Sequence, residues 1–284
     1  KHITLSQAVW PYLFGVLWGI GGLAFGLTMR RLGLSLGMAL ALGLTATSGP
    51  LVPPICFGLF STLISKISGL VTLAGVLVCL IGIFFTGRAG VLKDLELSSE
   101  QKKAKIKKFN FSKGVWVALS AGVMGACFAF CLAAGKPIAE SAVAYGTPAV
   151  FADTPVFIFI MLGGFTANLL WCVHLAVRNR TVGDYVKREA PPAANYVFSA
   201  LAGIVWYFQF FFYGIGTTKM GKYDSAGWSM HLALIITFST LWGLILKERK
   251  GAGRQTMRTI EFGLLILIFS TFIIGAGNYI QKFE

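Results

Sequence analysis

The chain has 284 residues, of which 56% are hydrophobic, 14% aromatic and 13% charged, with a mean hydropathy of +0.73 and a net charge of +14. A soluble domain carries about 25% charged residues, so this composition excludes an ordinary water-soluble globule. The apolar runs match the roughly 20 residues that cross a hydrocarbon core as a helix, and they are too continuous for the alternating, roughly ten-residue strands of a membrane barrel.

The expected fold class is therefore an all-α polytopic membrane protein. The chain opens on Lys1 with no legible n-region or cleavage site before the first apolar run. Eight spans are predicted. The first, 9–29, ends at Arg30 and Arg31. The second, 34–59, holds SGPLVPP (Ser48 to Pro54), where prolines without an N–H predict a kink or break. The third, 70–87, is followed by the basic stretch GRAGVLKDLELSSEQKKAKIKKFNFSKG, Gly87 to Gly114. Its lysines could meet anionic headgroups or nucleic acid, but a solvated connector is the simpler reading. The remaining spans cover 114–135, 152–177, 196–217, 227–246 and 260–280. Cys56, Cys79, Cys127, Cys131 and Cys172 all fall in apolar stretches, without a CxxC pair or a histidine at ligand spacing, so neither disulfides nor a metal site is expected.

Lys and Arg alternate in abundance from one connection to the next. Nineteen of the 25 fall on one side if the link after the third span is cytoplasmic, leaving Lys1, Lys66, Lys136, Lys219, Lys222 and Lys282 opposite. The positive-inside rule then puts both ends of this chain outside. The net charge needs no nucleic acid to explain it.

An internal match shapes the topology. Set against LWGIGGLAFGLTMRRLG (from Leu17), the segment VWYFQFFFYGIGTTKMG (from Val205) pairs Trp18 with Trp206, Phe25 with Tyr213, Gly26 with Gly214, Arg31 with Lys219 and Gly33 with Gly221. The segments near 70–87 and 260–280 echo each other in the same order. The first and sixth spans are thus equivalents five helices apart. An odd separation makes the copies enter the membrane from opposite sides, the inverted repeat of secondary transporters. Two five-helix repeats make ten spans, so the expectation is eight of ten: 1–87 the remainder of the first repeat, 88–113 a cytoplasmic basic linker, and 114–284 the second repeat, with two helices belonging ahead of residue 9.

A transporter of this kind binds near the midplane. Trp206, Gln209, Phe210 and Tyr213 fall at i, i+3, i+4 and i+7 on one helix face. Aromatic faces suit the C–H side of a sugar, and the Gln209 amide offers two donors and an acceptor to hydroxyls. The plain alternative for Gln209 is an interhelical hydrogen bond, worth only about 1 kcal/mol in membranes. Gln209, Trp206, Tyr213 and Trp18, together with Asn168 in the fifth span, are the expected substrate-binding residues. Asn168, Trp171 and His174 lie at one-turn spacing, with His174 nearer the interface. For the proton, Asp153 and His231 stand first; Asp153 precedes Thr154-Pro155 and reads equally well as a helix cap, and His231, one turn from Trp228, as a structural donor. Glu140 is placed for an ion pair with Lys136, and Glu261 for the N-terminal end of a helix; Asp224 adds a fourth acid near a span. His2, His174 and His231 are far apart and no Ser/His/Asp or HExxH pattern occurs, so no enzyme and no cofactor are expected.

The motifs FGVLWGIGGLAFGLTMRRLGLSLGMALALG, GRAGVLKD, WYFQFFFYGIG, YDSAGWSMH and LILKERKGAGR resemble the bacterial L-rhamnose–proton symporter family, of the ten-helix drug/metabolite transporter superfamily. The similarity runs along essentially the whole chain from the family's third helix. It implies proton-driven import of a deoxy-sugar across the bacterial inner membrane. The chain departs from the family's pattern at Gly22, Ala24 and Phe25, where members carry polar residues and a tyrosine, which leaves the sugar less fixed than the family. The alternatives are a transporter of a different sugar or small metabolite and, outside transport, a membrane sensor or scaffold.

Overall fold

A computed structural model describes residues 4–32, 34–56, 58, 60–96, 111–186, 192–220, 226–246 and 252–284, and all the regular structure among them is helical. In chain order the helices are α1 (Leu5–Leu32), α2 (Leu34–Cys56), α3 (Phe60–Ser65), α4 (Ile67–Glu96), α5 (Phe111–Ala144), α6 (Thr154–Arg178), α7 (Pro192–Thr217), α8 (Gly227–Ile245) and α9 (Arg254–Ile280). Each predicted span coincides with one of them. Seven, all except α2 and α3, are long and apolar enough to cross a membrane, and α2 carries a shorter apolar stretch, Leu40–Cys56. The expected linker is shorter than its composition suggests: α4 runs on to Glu96 and α5 begins at Phe111. LKDLE has no breaker and is rich in good helix formers. Residues 97–110 lie outside the described residues.

The break expected within SGPLVPP is displaced. Helix α2 continues through Pro50, Pro53 and Pro54, stops at Cys56, and is followed by Gly58 at φ +69°. Pro50 cannot donate to the carbonyl of Ala46, its i−4 partner in a helix. That carbonyl instead accepts a hydrogen bond from Ser229 Oγ of α8 at 2.6 Å. A second helix thus fills the gap in the ladder, and the turn survives.

The outside of the molecule is apolar. Leu77, Phe84, Phe262, Leu265, Phe269 and Phe272 are all more than about half exposed, as lipid-facing side chains are and water-facing ones are not. The helix contacts, by contrast, use small residues, which let backbones approach when no hydrophobic difference from lipid drives association.

By contacts the chain divides into two compact units, Lys1–Ile20 with Cys131–Lys219, and Gly21–Phe130 with Met220–Glu284. In the first, α1 lies on α6 through glycines: a Cβ at Gly19 would fall 2.9 Å from Gly164 Cα, and one at Gly15 would strike the Ile160 carbonyl. Tyr12 OH donates to Thr166 Oγ1 at 3.2 Å beside them. Phe157 of α6 fills the space left by Gly214 of α7.

In the second unit α4 and α9 form an antiparallel pair. Thr72 faces Gly277, Gly75 faces Ile274, Cys79 lies beside Ser270, Gly82 faces Leu267, Thr86 faces Gly263, and Ala89 shares a buried cluster with Ile260. A Cβ at Gly82 would sit 2.7 Å from Leu267 Cγ, and one at Gly263 would sit 2.8 Å from Thr86 Cγ2. Larger residues at these steps would force the helices apart.

Candidate functional site

The first unit brings two of the expected aromatic residues into contact. Trp18 of α1 stacks on Trp206 of α7, with ring centroids 5.9 Å apart and planes at 16°. Phe210, one turn after Trp206, meets Trp18 edge-on at 5.5 Å and Trp206 at 4.8 Å. Phe210 is buried at 3% exposure, whereas Trp206 keeps 49%, so the cluster has a closed side and an open face. Its contact with Trp18 rests on glycine: a Cβ at Gly164 would fall 3.1 Å from Trp18 Cζ3.

Gln209 adjoins this cluster on α7 and is half-buried. Among the described residues its amide has no hydrogen-bond partner, so the interhelical bond considered from sequence is not what holds it. Half-buried amides in an apolar setting ordinarily find hydrogen-bond partners. Tyr213, one turn further along, is also half-buried.

Asn168 sits one turn beyond Gly164 on α6 and donates from Nδ2 to the Gly164 carbonyl at 2.8 Å. That ties it to the same glycine that seats Trp18. Asn168, Trp171 and His174 are exposed, and the rings of Trp171 and His174 lie 5.8 Å apart.

Asp153 is at the N-cap position of α6, with Pro155 in the first turn, yet its side chain makes no cap hydrogen bond. The carboxylate reaches across to α7, where Thr217 Oγ1 lies 2.9 Å from Oδ2. The capping alternative is thus corrected: the position is right and the bond is not. Thr217 is buried and one turn beyond Tyr213, which carries Asp153 to the face that holds the aromatic cluster. Sequence reasoning missed Thr217, one of several hydroxyls near the end of that span.

His231 belongs to the second unit. Its ring lies 5.4 Å from Trp228, which stacks on Phe128 at 4.6 Å. A Cβ at Gly49 would meet Trp228 Cδ1 at 2.7 Å, so α2 closes over the indole. Phe128 and Ser229 were not legible as site residues; both are ordinary apolar-helix residues that gain meaning only from what they touch. Glu140 and Glu261 are exposed. His2 and Asp224 lie outside the described residues, which contain no cluster of three His, Cys, Asp or Glu able to hold a metal.

The family described as L-rhamnose-proton symport protein (RhaT) matches residues 2–279. An L-rhamnose-proton symporter of Citrobacter koseri is 38% identical over 281 residues, covering 98% of this chain and 80% of the relative. Those of Salmonella paratyphi B and Salmonella newport are 38% identical over 280 residues, 97% of this chain and 80% of each relative. No solved structure matches the chain.

Proposed function

The chain belongs to the L-rhamnose-proton symport protein family, and on that premise we propose that it imports a deoxy-sugar, L-rhamnose in first place, together with a proton by alternating access. It is a transporter and not an enzyme. The observation that carries the site is the open Trp18–Trp206 stack beside the amide of Gln209, which has no hydrogen-bond partner among the described residues. An aromatic face and a convergent polar group are what a sugar requires, and Tyr213 and Asn168 complete the polar set. Asp153, held by Thr217 at the end of the same α7 face, is the proton carrier that this arrangement favours, with His231 second. Proton and sugar then couple only if the two facing states differ in affinity for them.

The inverted repeat gains support from arithmetic. Trp18 and Trp206 are 188 positions apart and touch each other. Adding 188 to the α4 residues that face α9, namely Thr72, Gly75, Cys79, Gly82, Thr86 and Ala89, gives Ile260, Gly263, Leu267, Ser270, Ile274 and Gly277. These are the α9 residues that face α4. Each helix therefore offers its partner the same positions, as the two copies in a two-fold interface do. The reading is of two inverted halves, 1–87 and 114–284, joined by the basic stretch 88–113, into whose ends α4 and α5 extend, in the bacterial inner membrane, with that stretch cytoplasmic and both ends of the chain outside.

A second reading, transport of a different sugar or small metabolite, is favoured by Gly22. A Cβ there would meet nothing within 4 Å, so the space would accept the polar side chains of the family's pattern and this chain leaves it empty. Uptake of labelled L-rhamnose into vesicles containing the protein, with an imposed proton gradient and competing sugars, tests both. Gradient-dependent accumulation supports the first reading; no accumulation and no sugar-induced alkalinisation outside removes it.

A further inference from the structure

Two glutamates bind the ends of the α4–α9 pair. At one end the backbone N–H of Gly253 donates to Glu96 Oε2 at 2.8 Å, and Thr256 Oγ1 donates to Glu96 Oε1 at 2.7 Å. At the other, the backbone N–H of Ser68 donates to Glu284 Oε1 at 3.2 Å, and Ser68 Oγ donates to Glu284 Oε2. In both places a carboxylate from the last residue of one helix, or from four residues beyond its end, crosses to the first turn of the other. There it satisfies N–H groups that a helix start leaves open, where its negative charge is also favoured by the helix dipole. The N-cap residue of α9, Gly253, has no side chain to do this for itself.

The two ends are counterparts. Glu96 and Glu284 are 188 positions apart, and so are Ser68 and Thr256. One device, a glutamate on a hydroxyl-bearing helix start, is therefore built at both ends of the pair, on opposite faces of the membrane in the topology proposed above. Between them the glycine steps at 75, 82, 263 and 277 leave no room for a Cβ, so sliding one helix along the other would bring backbone or branched side chains into collision.

Alternating access works by exchange: contacts that close one face are made in one state and broken in the other. A contact present at both faces at once takes no part in such an exchange. We propose that α4 and α9, clasped by Glu96–Thr256 and Glu284–Ser68, form a rigid strut whose two ends both stay shut throughout the transport cycle, and about which the remaining helices move. The inference rests on the transport reading for the cycle itself.

Cross-linking tests it without touching the clasps. In a background with the five native cysteines replaced by alanine, Val76→Cys with Ile274→Cys, and Ala89→Cys with Ile260→Cys, pairs that share buried clusters and spare the glycines, place thiols near the two ends of the interface. After oxidation of both pairs in one protein, L-rhamnose uptake in vesicles should match that of the same protein kept reduced. A loss of about tenfold that a reductant reverses would overturn the strut. Should the cysteine variants be inactive before oxidation, spin labels on the exposed pairs Leu70/Tyr279 and Val91/Arg258 decide the matter. The strut requires each distance to stay within about 2 Å between about pH 6 and pH 8, with and without L-rhamnose, whereas a shift of about 5 Å at either end contradicts it. Absence of uptake by the unaltered protein would count against the sugar, and the distances measured across pH would still judge the strut.

Discussion

Replacing Gln209 by leucine puts a side chain of similar volume where the amide stood. The structure gives that amide no hydrogen bond to any described residue, so its removal takes nothing from the fold and leaves no protein donor or acceptor stranded. What it takes from the bound state is whatever the amide gives the sugar. A net hydrogen bond is worth about 1 kcal/mol, which converts to about a fivefold weaker affinity, and two bonds to about thirtyfold. The assay is the concentration dependence of proton-driven L-rhamnose uptake, read beside the melting temperature of the purified variant. The expected result is a half-saturating concentration raised about five- to thirtyfold with the melting temperature unchanged. An unchanged half-saturating concentration would refute the assignment. So would a melting temperature that drops, because it would show that the amide serves packing after all.

Four further outcomes follow from the same contacts. Ser229→Ala strands the Ala46 carbonyl beside Pro50 and should cost about 1–3 kcal/mol of stability; in a Pro50→Ala background, where the helix regains its own N–H donor, the same substitution should cost almost nothing, and equal losses in the two backgrounds would contradict the account given for α2. Asp153→Asn keeps an acceptor for Thr217 but removes the exchangeable charge, so sugar counterflow should persist while proton-driven accumulation disappears; accumulation at the native level would pass the role to His231. Gly82→Val drives a branched side chain into Leu267 and should lower stability by about 1–3 kcal/mol, measured by thermal unfolding in detergent, while the same change at Gly22, where a Cβ meets nothing within 4 Å, should be far milder. Finally, the Gly253 and Thr256 donors hold the Glu96 carboxyl below its ordinary value of 4.5. Its contribution is therefore complete above that value and is lost as the pH falls through the lower, folded one. Below about pH 4.5 the wild-type melting temperature should fall more steeply than that of Glu96→Gln; parallel curves would show that the clasp adds no stability.

Much of this architecture could be read from the residues, for definite reasons. A membrane span must satisfy its backbone internally over a fixed thickness, so all eight apolar runs could be placed, and each coincides with a helix. The internal match aligned Trp18 with Trp206 from the residues alone, but that their rings stack on each other is visible only in the structure. The clasps were not legible. Glu96 and Thr256 are 160 positions apart, and Ser68 and Glu284 are 216 apart, and a glutamate at the polar end of a helix looks like any solvated one. At Pro50 a missing N–H announces a carbonyl in need of a donor, but nothing local says that Ser229 will supply it. Asp153 marks the limit from the other side: local chemistry located the start of α6 and left the carboxylate open between a cap and a proton carrier, because the Thr217 hydroxyl that donates to it is 64 positions away.

The stacked tryptophans carry one more consequence. Two like rings laid face to face can be exchanged by a half-turn with little change, so the stack alone would offer a pyranose two orientations of similar merit. On the sugar-binding reading proposed above, position 209 separates them: an amide follows Trp206 by three residues, whereas Gly21, three residues after Trp18, carries no side chain. The choice between two ways of laying one ring on the stack then falls to a single side chain.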